Sequence, residues 1–452
     1  MDFRNKKVTV VGLGDSGYKS VLLLLDAGAI VGVTDGADNA IIRERARILE
    51  KKYIDMEIGR HTESFLEDSE LMVTSPGVED SSLPLRYAGE NAIPVISELE
   101  LGYLFCKGPI ASITGTDGKS TVVSLTGAIL REGGIPVNVC GNIGNCLSGE
   151  TSKIKKDTKV IVETSSAQLE RIESFRPKIS VILNIGEDHF DRYKDFGEYF
   201  AAKRRIYKNQ RKSDIAIFNY DNAKLRELAA SGGIEADIFY FSAKEKVKGA
   251  FLREGYVTLC LKDKEKRMFK LEKSRLKGDH NVENILAAFL VAALFGAKAD
   301  AAAEAIRKFV PLSHRFETIA VINKVEFIND SKATNLHSAE RALLSLTGPV
   351  ILVAGGKDKN LPYEKILPAM KNVKKAVLIG ETRQKMRAVF GKQVSVEECG
   401  SLEEAVMAAY KSASPGDYVL LSPMCSSFDM FRDYKHRGEV FKEAVGKLKD
   451  TN

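Results

Sequence analysis

The chain has 452 residues, a length that suggests about three domains. Apolar residues make up 44% and charged residues 28%, enough to build several cores and to exclude disorder as the dominant state. The 67 basic and 61 acidic side chains leave a net charge of +6, too mild at this length to call for a nucleic-acid partner.

Six cysteines lie far apart and form no C-x-x-C pair, a reduced pattern with neither a disulfide framework nor a zinc site. The first residues, MDFRNKKVTVVGLG, hold no apolar signal core before a strand begins, so a cytoplasmic protein is expected. The longest apolar run, Ile285 to Phe295, falls short of the roughly 20 residues that span a bilayer, so no membrane association is expected.

Up to about residue 105, strand and helix signals alternate. VTVVG (8–12), IVGVTD (30–35), LMVTSPGV (71–78) and IPVIS (93–97) read as strands, with a helix from about Ser16 to Asp26. Short apolar strands separated by helices predict a mostly parallel sheet covered on both faces. A second unit starts near Cys106, with strands in PIASIT (109–114), KVIVETS (159–165) and ISVILNI (179–185). The lysine-rich stretch 242–278 reads as antiparallel hairpins, closed by a helix over 282–295. A third unit begins near Pro311, with strands VEFIND (325–330), GPVILVAG (348–355), KAVLIG (375–380) and YVLLSP (418–423). The expected plan is three α/β domains in series, over 1–105, 106–311 and 312–452, with ligands at the carboxyl ends of strands.

The most informative stretch is Thr114-Gly115-Thr116-Asp117-Gly118-Lys119-Ser120-Thr121, placed between a strand and a helix. Backbone N–H groups of such a loop and the helix N-terminus cradle phosphates, the lysine offsets their charge, and the serine hydroxyl can reach Mg²⁺. The strict spacing wants a glycine where Ile113 stands. Glu163 ends the strand KVIVE, where a carboxylate beside a phosphate loop suits Mg²⁺, although taken alone it also suits a solvated strand end. Asn184-Ile-Gly-Glu-Asp-His189-Phe-Asp191-Arg192 concentrates an imidazole and carboxylates after another strand; a structural histidine is the plainer alternative. Lys203, in AAKRRIYK, reads from its neighbours as part of a solvated basic face.

Gly12-Leu-Gly14-Asp-Ser-Gly17, with Asp35 ending the next strand, matches the dinucleotide-binding fingerprint. It raises a rival reading, an NAD-dependent oxidoreductase, and would serve any pyrophosphate equally. Ser313-His-Arg315-Phe-Glu lies near the start of the third unit, where an arginine can clamp phosphate on closure. Asn329-Asp330-Ser331-Lys332-Ala333-Thr334-Asn335 ends a strand of that unit; Asp330 suits a ribose, and Lys332 and Thr334 suit an anionic substrate. Gly355-Gly-Lys357-Asp-Lys359 and Ser422-Pro-Met-Cys-Ser426-Ser427-Phe428-Asp429 end two further strands.

TGTDGKST, ETSSAQLE, NIGEDHFDRY, AAKRRIY, GDHNVENILAA, LSHRFE, NDSKATN and SPMCSSFDMF occur in the order seen in the Mur ligases, which the whole chain resembles. NDSKATN with SHRFE points to the D-glutamate-adding branch. The D-N-P motif of the diamino-acid-adding branch and the His-His-Pro element of the alanine-adding one are missing from the sequence. The resemblance implies a Rossmann-like first domain binding a UDP substrate, a central P-loop ATPase-type domain with added antiparallel strands, and a Rossmann-like third domain closing on ATP and binding D-glutamate. It implies an ATP-dependent amide ligase acting through an acyl phosphate and a tetrahedral intermediate in cytoplasmic peptidoglycan precursor synthesis.

By the same resemblance, Gly115, Thr116, Asp117, Gly118, Lys119, Ser120 and Thr121 hold the ATP phosphates. Ser120 and Glu163 would bind one Mg²⁺, and His189 and a carbamylated Lys203 a second. Carbamylation needs a neutral amine, hence a partly buried lysine. Asn281 would contact adenine, Asp330 the ribose and Arg315 the phosphates. Asp15, Ser16, Asp35, Gly36, Ser75, Gly77, Asn142 and Ser165 would hold the UDP substrate. Lys332, Thr334, Lys359 (or Lys357, since GGKDKNLP aligns two ways), Ser427, Phe428 and Tyr434 would surround D-glutamate. Lys119, Glu163, His189 and Lys203 form the implied catalytic set. The chain departs from the commonest family pattern at Asp117 (Asn), Ala167 (Phe), Phe428 (Leu) and Tyr434 (Phe). A monomer is expected, since no long exposed apolar helix asks for a partner. Another Mur-type ligase adding a different amino acid and a folylpolyglutamate-type ligase are the nearest relatives in chemistry; about a hundred residues ahead of the phosphate loop argue against the latter.

Overall fold

A computed structural model describes residues 1–186, 192–261, 264–271, 274, 276 and 278–450. In the first region, β1 (Lys7–Val11), β2 (Ile30–Asp35), β3 (Asp55–Ile58), β4 (Leu71–Thr74) and β5 (Val95–Ser97) form a sheet in the order β3-β2-β1-β4-β5. Every pairing is parallel. Strand β3, DMEI, was not expected; it is short, half polar and at the edge, so it carries no apolar run.

The central sheet has nine strands: β6 (Ile110–Thr114), β7 (Val137–Gly141), β8 (Lys159–Glu163), β9 (Ile179–Ile182), β10 (Ile215–Asn219), β11 (Asp237–Ser242), β12 (Gly249–Arg253), β13 (Tyr256–Leu261) and β14 (Lys264–Lys270). Their order is β14-β13-β12-β11-β10-β9-β6-β8-β7. Its middle is parallel, and β12, β13 and β14 pair antiparallel as the lysine-rich stretch suggested. Strand β6 is buried along its whole length, and its two hydroxyls, Ser112 and Thr114, are satisfied by Thr164 on the neighbouring chain segment.

The third sheet runs β15-β16-β20-β17-β18-β19, with β15 (Glu317–Ile322), β16 (Val325–Asn329), β17 (Val350–Gly355), β18 (Val373–Ile379), β19 (Ser395–Glu398) and β20 (Tyr418–Leu421). Only its β15–β16 hairpin is antiparallel. The period-two geometry of a strand splits β17 between two cores. Ile351 and Val353 pack with Val377, Ile379, Leu402 and Phe441 on one face. Leu352 and Ala354 pack with Leu378, Ala339 and Met370 on the other.

The chain divides into two compact units. The first two sheets belong to one, with Glu283–Lys308; the third sheet belongs to the other, built chiefly from Phe309–Asn452. Within the first unit, the helix Glu98–Phe105 leaves β5 and ties the first sheet to the second through two buried carboxylates. Glu100 accepts from the backbone N–H groups of Glu173, Ser174 and Phe175 at 3.0, 2.8 and 2.9 Å, and from the Ser174 hydroxyl. Glu98 accepts from the Ser148 N–H at 2.7 Å, while its second oxygen has no partner among the described residues. Burial pushes the Glu98 carboxyl up from its ordinary range.

Candidate functional site

The carboxyl ends of β6, β8 and β9 lie side by side, and the loops that leave them converge. From β6 the chain turns through Gly115 at φ +155° and Gly118 at φ +80° into the helix Lys119–Glu132. A Cβ on Gly118 would meet Asn284 Oδ1 at 2.4 Å, so conformation and space both require glycine there. The Lys119 ammonium donates to the carbonyls of Gly115 and Thr116, both at 2.7 Å, and so folds back over its own loop. Asn184, just past β9, clamps the loop from below: its Oδ1 accepts from the Asp117 N–H at 2.9 Å and its amide donates to the Asp117 carbonyl at 3.2 Å.

Glu163, at the end of β8, receives the Ser120 hydroxyl at 2.5 Å on one oxygen and the Asn142 amide at 3.0 Å on the other. Ser120 and Glu163 are buried, 2% and 3% exposed. Two hard oxygen donors meeting beside this loop are of the kind Mg²⁺ accepts, since Mg²⁺ keeps few protein ligands and takes the rest from phosphate and water. Among the described residues no three His, Cys, Asp or Glu side chains cluster to hold a metal. His189 lies outside the described residues.

Lys203 departs most from its local sequence signal. It is 1% exposed, with Nζ 3.1 Å from the Gly115 carbonyl and 3.4 Å from Thr114 Oγ1. It also lies 4.7 Å from the centre of the Tyr199 ring, whose hydroxyl shares a 3.2 Å hydrogen bond with Thr116 Oγ1. Tyr199 stands four residues before Lys203 on the helix Phe196–Arg204, and that same-face spacing was the signal that could have found it. Ser165 caps the helix Ser166–Glu170 in a box with Gln168. Thr121 is buried in the first turn after the phosphate loop.

In the first sheet, the expected UDP residues lie past the carboxyl ends of three strands: Asp15 and Ser16 after β1, Asp35 and Gly36 at β2, and Ser75 and Gly77 after β4. Asp35, at the end of β2, accepts from the N–H groups of Leu13 at 2.6 Å and Ala37 at 2.8 Å. Asp15 pairs with Arg45. The Ser16 carbonyl accepts from the Ser20 hydroxyl at 2.9 Å, and Ser75 donates to the Gly12 carbonyl at 3.2 Å. A Cβ on Gly36 would meet His61 at 3.0 Å, whereas Gly77 faces open space. A Cβ on Gly17 would lie 1.8 Å from the Gly12 carbonyl oxygen, so this third glycine serves close packing of helix on strand.

In the second unit, the loop after β16 is held from several sides. Asp330 accepts from the Phe316 N–H at 3.1 Å and the Ser422 hydroxyl at 3.4 Å. The Lys332 ammonium stands 3.9 Å from the centre of the Tyr434 ring. Lys359 Nζ reaches the Thr334 carbonyl at 3.3 Å, while Lys357 pairs with Glu381 at 3.1 Å, so the structure brings Lys359 and not Lys357 to Thr334. Ser427 is buried and Phe428 is 72% exposed. Arg315 donates its N–H to the Leu312 carbonyl, and Asn281 is buried in the first turn of the helix Asp279–Leu294.

Sequence reasoning missed Arg437, which is fully buried. It donates to Ser331 Oγ at 3.0 Å and to the carbonyls of Ser331, Cys425 and Ser426 at 2.8, 3.1 and 3.3 Å, tying together the loops after β16 and β20. Burial lowers its guanidinium to about 10. An isolated arginine in an otherwise solvated helical sequence gave no hint of this.

Comparison with known proteins matches three family patterns in sequence order. These are the Mur ligase MurD-like N-terminal domain over residues 6–97, the Mur ligase middle domain over 113–292 and the Mur ligase glutamate ligase domain over 314–425. The UDP-N-acetylmuramoylalanine--D-glutamate ligase of Koribacter versatilis (strain Ellin345) is 42% identical over 99% of this chain and 99% of its own length. The enzyme of that name from Thermoanaerobacter sp. (strain X514) is 39% identical over 99% of this chain and 100% of its own. Among solved structures, a pseudomurein peptide ligase type C from Methanothermus fervidus has a TM-score of 0.61 at 19% identity, covering 98% of this chain and 100% of its own. UDP-N-acetylmuramate-alanine ligase MurC from Thermotoga maritima has a TM-score of 0.60 at 18% identity, covering 99% and 100%. The chain belongs to the Mur ligase family.

Proposed function

We propose that this protein is an ATP-dependent ligase that joins D-glutamate to the carboxylate of UDP-N-acetylmuramoyl-L-alanine, in the cytoplasm, as a step of peptidoglycan precursor synthesis. Its relatives of that name match nearly end to end. The single structural observation that carries the reading is the meeting of Lys119, Ser120 and Glu163 at one phosphate loop.

A carboxylate is a poor acyl donor because oxide is a poor leaving group. Transfer of the γ-phosphoryl of ATP to it gives an acyl phosphate, which the amine of D-glutamate attacks through a tetrahedral intermediate, releasing phosphate. Mg²⁺ held by Ser120 and Glu163 would screen the phosphates from the attacking carboxylate. Lys119 carries the protein's own positive charge to the same place: the two carbonyls it now bonds are acceptors it exchanges for phosphate oxygens. Asn184 and Gly118 fix the loop so that its N–H groups need no reorganisation. Asn142 holds Glu163 from its far side, and with Ser165 it faces the UDP substrate in this reading.

Lys203 is the candidate for carbamylation and, with His189, for a second Mg²⁺. Its burial against Gly115 and Tyr199 supports that reading over the solvated face its neighbours suggested. In the second unit, Asp330 takes the ribose, Arg315 the phosphates and Asn281 the adenine. Lys332, Thr334, Lys359, Ser427, Phe428 and Tyr434 take D-glutamate. In this reading the domains are 1–105, 106–311 and 312–452 and the protein acts as a monomer. No helix among the described residues is long and apolar enough to cross a membrane.

The test is phosphate release from ATP and Mg²⁺ with UDP-N-acetylmuramoyl-L-alanine, offered D-glutamate, L-glutamate, L-lysine or meso-diaminopimelate in turn. Release that requires both the UDP substrate and D-glutamate is expected. Dependence on another amino acid would keep the ligase chemistry and overturn the assignment of Lys332, Thr334 and Ser427.

A further inference from the structure

His314 precedes Arg315 and stands in the left-handed region at φ +65°. It is 5% exposed, although it belongs to a loop. Its main chain grips two elements: the N–H donates to Glu317 Oε2 at 2.8 Å, and the carbonyl accepts from the Lys332 N–H at 3.0 Å. Its ring lies against Gly438, where a Cβ would come within 2.1 Å of Nδ1, so the final helix is glycine at that point to admit the imidazole.

The hydrogen bonds around the ring allow one protonation state. Asn329, the last residue of β16, accepts the Ser331 N–H on Oδ1 at 3.1 Å. Its amide nitrogen therefore faces the other way, donating to the Gly438 carbonyl at 3.0 Å and lying 3.1 Å from His314 Nδ1. With a donor pinned opposite it, Nδ1 must accept, and the ring proton sits on Nε2, 3.2 Å from Glu439 Oε1. A second proton on Nδ1 would set two donors against each other. Asn329 could turn to meet it only by giving up both Ser331 and Gly438.

We propose that His314 is a positioning residue for the loop Asp330–Thr334, and that it holds this loop only as the neutral imidazole, so that acid releases the latch between β16 and the final helix. The inference rests on the reading of Asp330, Lys332 and Thr334 as substrate contacts. The charged groups acting on the ring are Glu317 from β15, Asp433 ahead of the final helix, and Glu439 and Lys442 on it. Burial and Lys442 lower the imidazole from its ordinary range, and they outweigh the carboxylates that act the other way.

The test compares the full-length protein with His314→Asn and His314→Leu. Asparagine tolerates left-handed backbone and keeps an acceptor where Nδ1 stands, but it does not titrate. For the wild type, KM for D-glutamate and ATP should rise on the order of a few-fold as pH falls from 8 to 5, with kcat changing less. In His314→Asn this extra acid rise should vanish, and His314→Leu should show a raised KM at every pH. Superimposable acid limbs in wild type and His314→Asn would overturn the proposal. Long-range ¹H–¹⁵N spectra of the histidine-labelled wild type read the latch without turnover. An unprotonated Nδ1 at pH 7 is expected, and an Nδ1–H tautomer would overturn it even if a variant failed to fold. Lack of D-glutamate-dependent turnover in every form, with Nδ1 unprotonated, would instead reject the substrate assignment and leave the latch standing.

Discussion

Two glycine loops in this chain look alike in sequence and differ in what they offer a ligand. Both follow a buried strand and open a helix: Gly12 to Gly17 after β1, Gly115 to Gly118 after β6. In the first, the protein supplies its own anion, because the Asp35 carboxylate takes the N–H groups of Leu13 and Ala37. In the second, a lysine of the helix the loop opens, Lys119, rests on two loop carbonyls; in the first, the cation on a loop carbonyl is Arg45, from the helix Ala40–Glu50, and Asp15 already pairs it. A glycine pattern therefore reports only that a backbone comes close to something. The charge beside it decides whether a triphosphate or a less highly charged group, such as a sugar-linked pyrophosphate, is the natural guest.

The comparison breaks most sharply at Lys119. Lys119→Ala should lower kcat/KM for ATP by on the order of 100-fold or more while the melting curve stays in place; near-wild-type turnover would make the two loops equivalent. Next comes packing. Gly17→Ala forces a Cβ onto the Gly12 carbonyl and should destabilise the first sheet by about 3 kcal/mol, whereas Gly14→Ala, with open space around it, should be tolerated. Thermal melts of the pair separate a glycine needed for packing from one that is not. The smallest effect is expected at Asp35→Ala, which leaves the Leu13 N–H without its acceptor while the exposed Ala37 N–H turns to water, at a cost of about 1 kcal/mol. An unchanged melting midpoint would mean that the carboxylate is not what holds the first loop.

The phosphate loop was legible because its chemistry is local: Thr114 to Thr121 carries strand end, glycines, lysine and hydroxyl in one stretch. The strands that were missed, β3, β7, β10, β11, β15 and β19, fall into two groups. β3 and β19 are short, polar edge strands whose side chains need not be apolar. The others are bounded by turn residues, such as Gly133-Gly134 before β7 and Gly232-Gly233 before β11, but mix polar side chains into short runs, as in VNVCG and DIFYFS. At the candidate site, the roles of Asn184 and His314, which lie inside quoted motifs, and of Tyr199 and Arg437, which do not, went unread for a different reason. Each acts through a partner far away in sequence, as Arg437 does on Ser331 and Cys425. Lys203 shows the limit from the other side: a lysine among basic neighbours reads as solvated until the fold buries it.

The helix Glu98–Phe105 bears on how the molecule can be taken apart. A fragment ending at 105 would keep the first sheet intact, yet it would carry two carboxylates, two residues apart, whose hydrogen-bond donors had all been left on the other piece. Cut there, the helix would lose the main-chain donors that dock it, and the turn at 173–175 would lose the carboxylate that gathers its three N–H groups. The sequence boundary between the first two sheets is thus a poor place to cut, and domain exchange among relatives should succeed only when this helix travels with the surface that receives it.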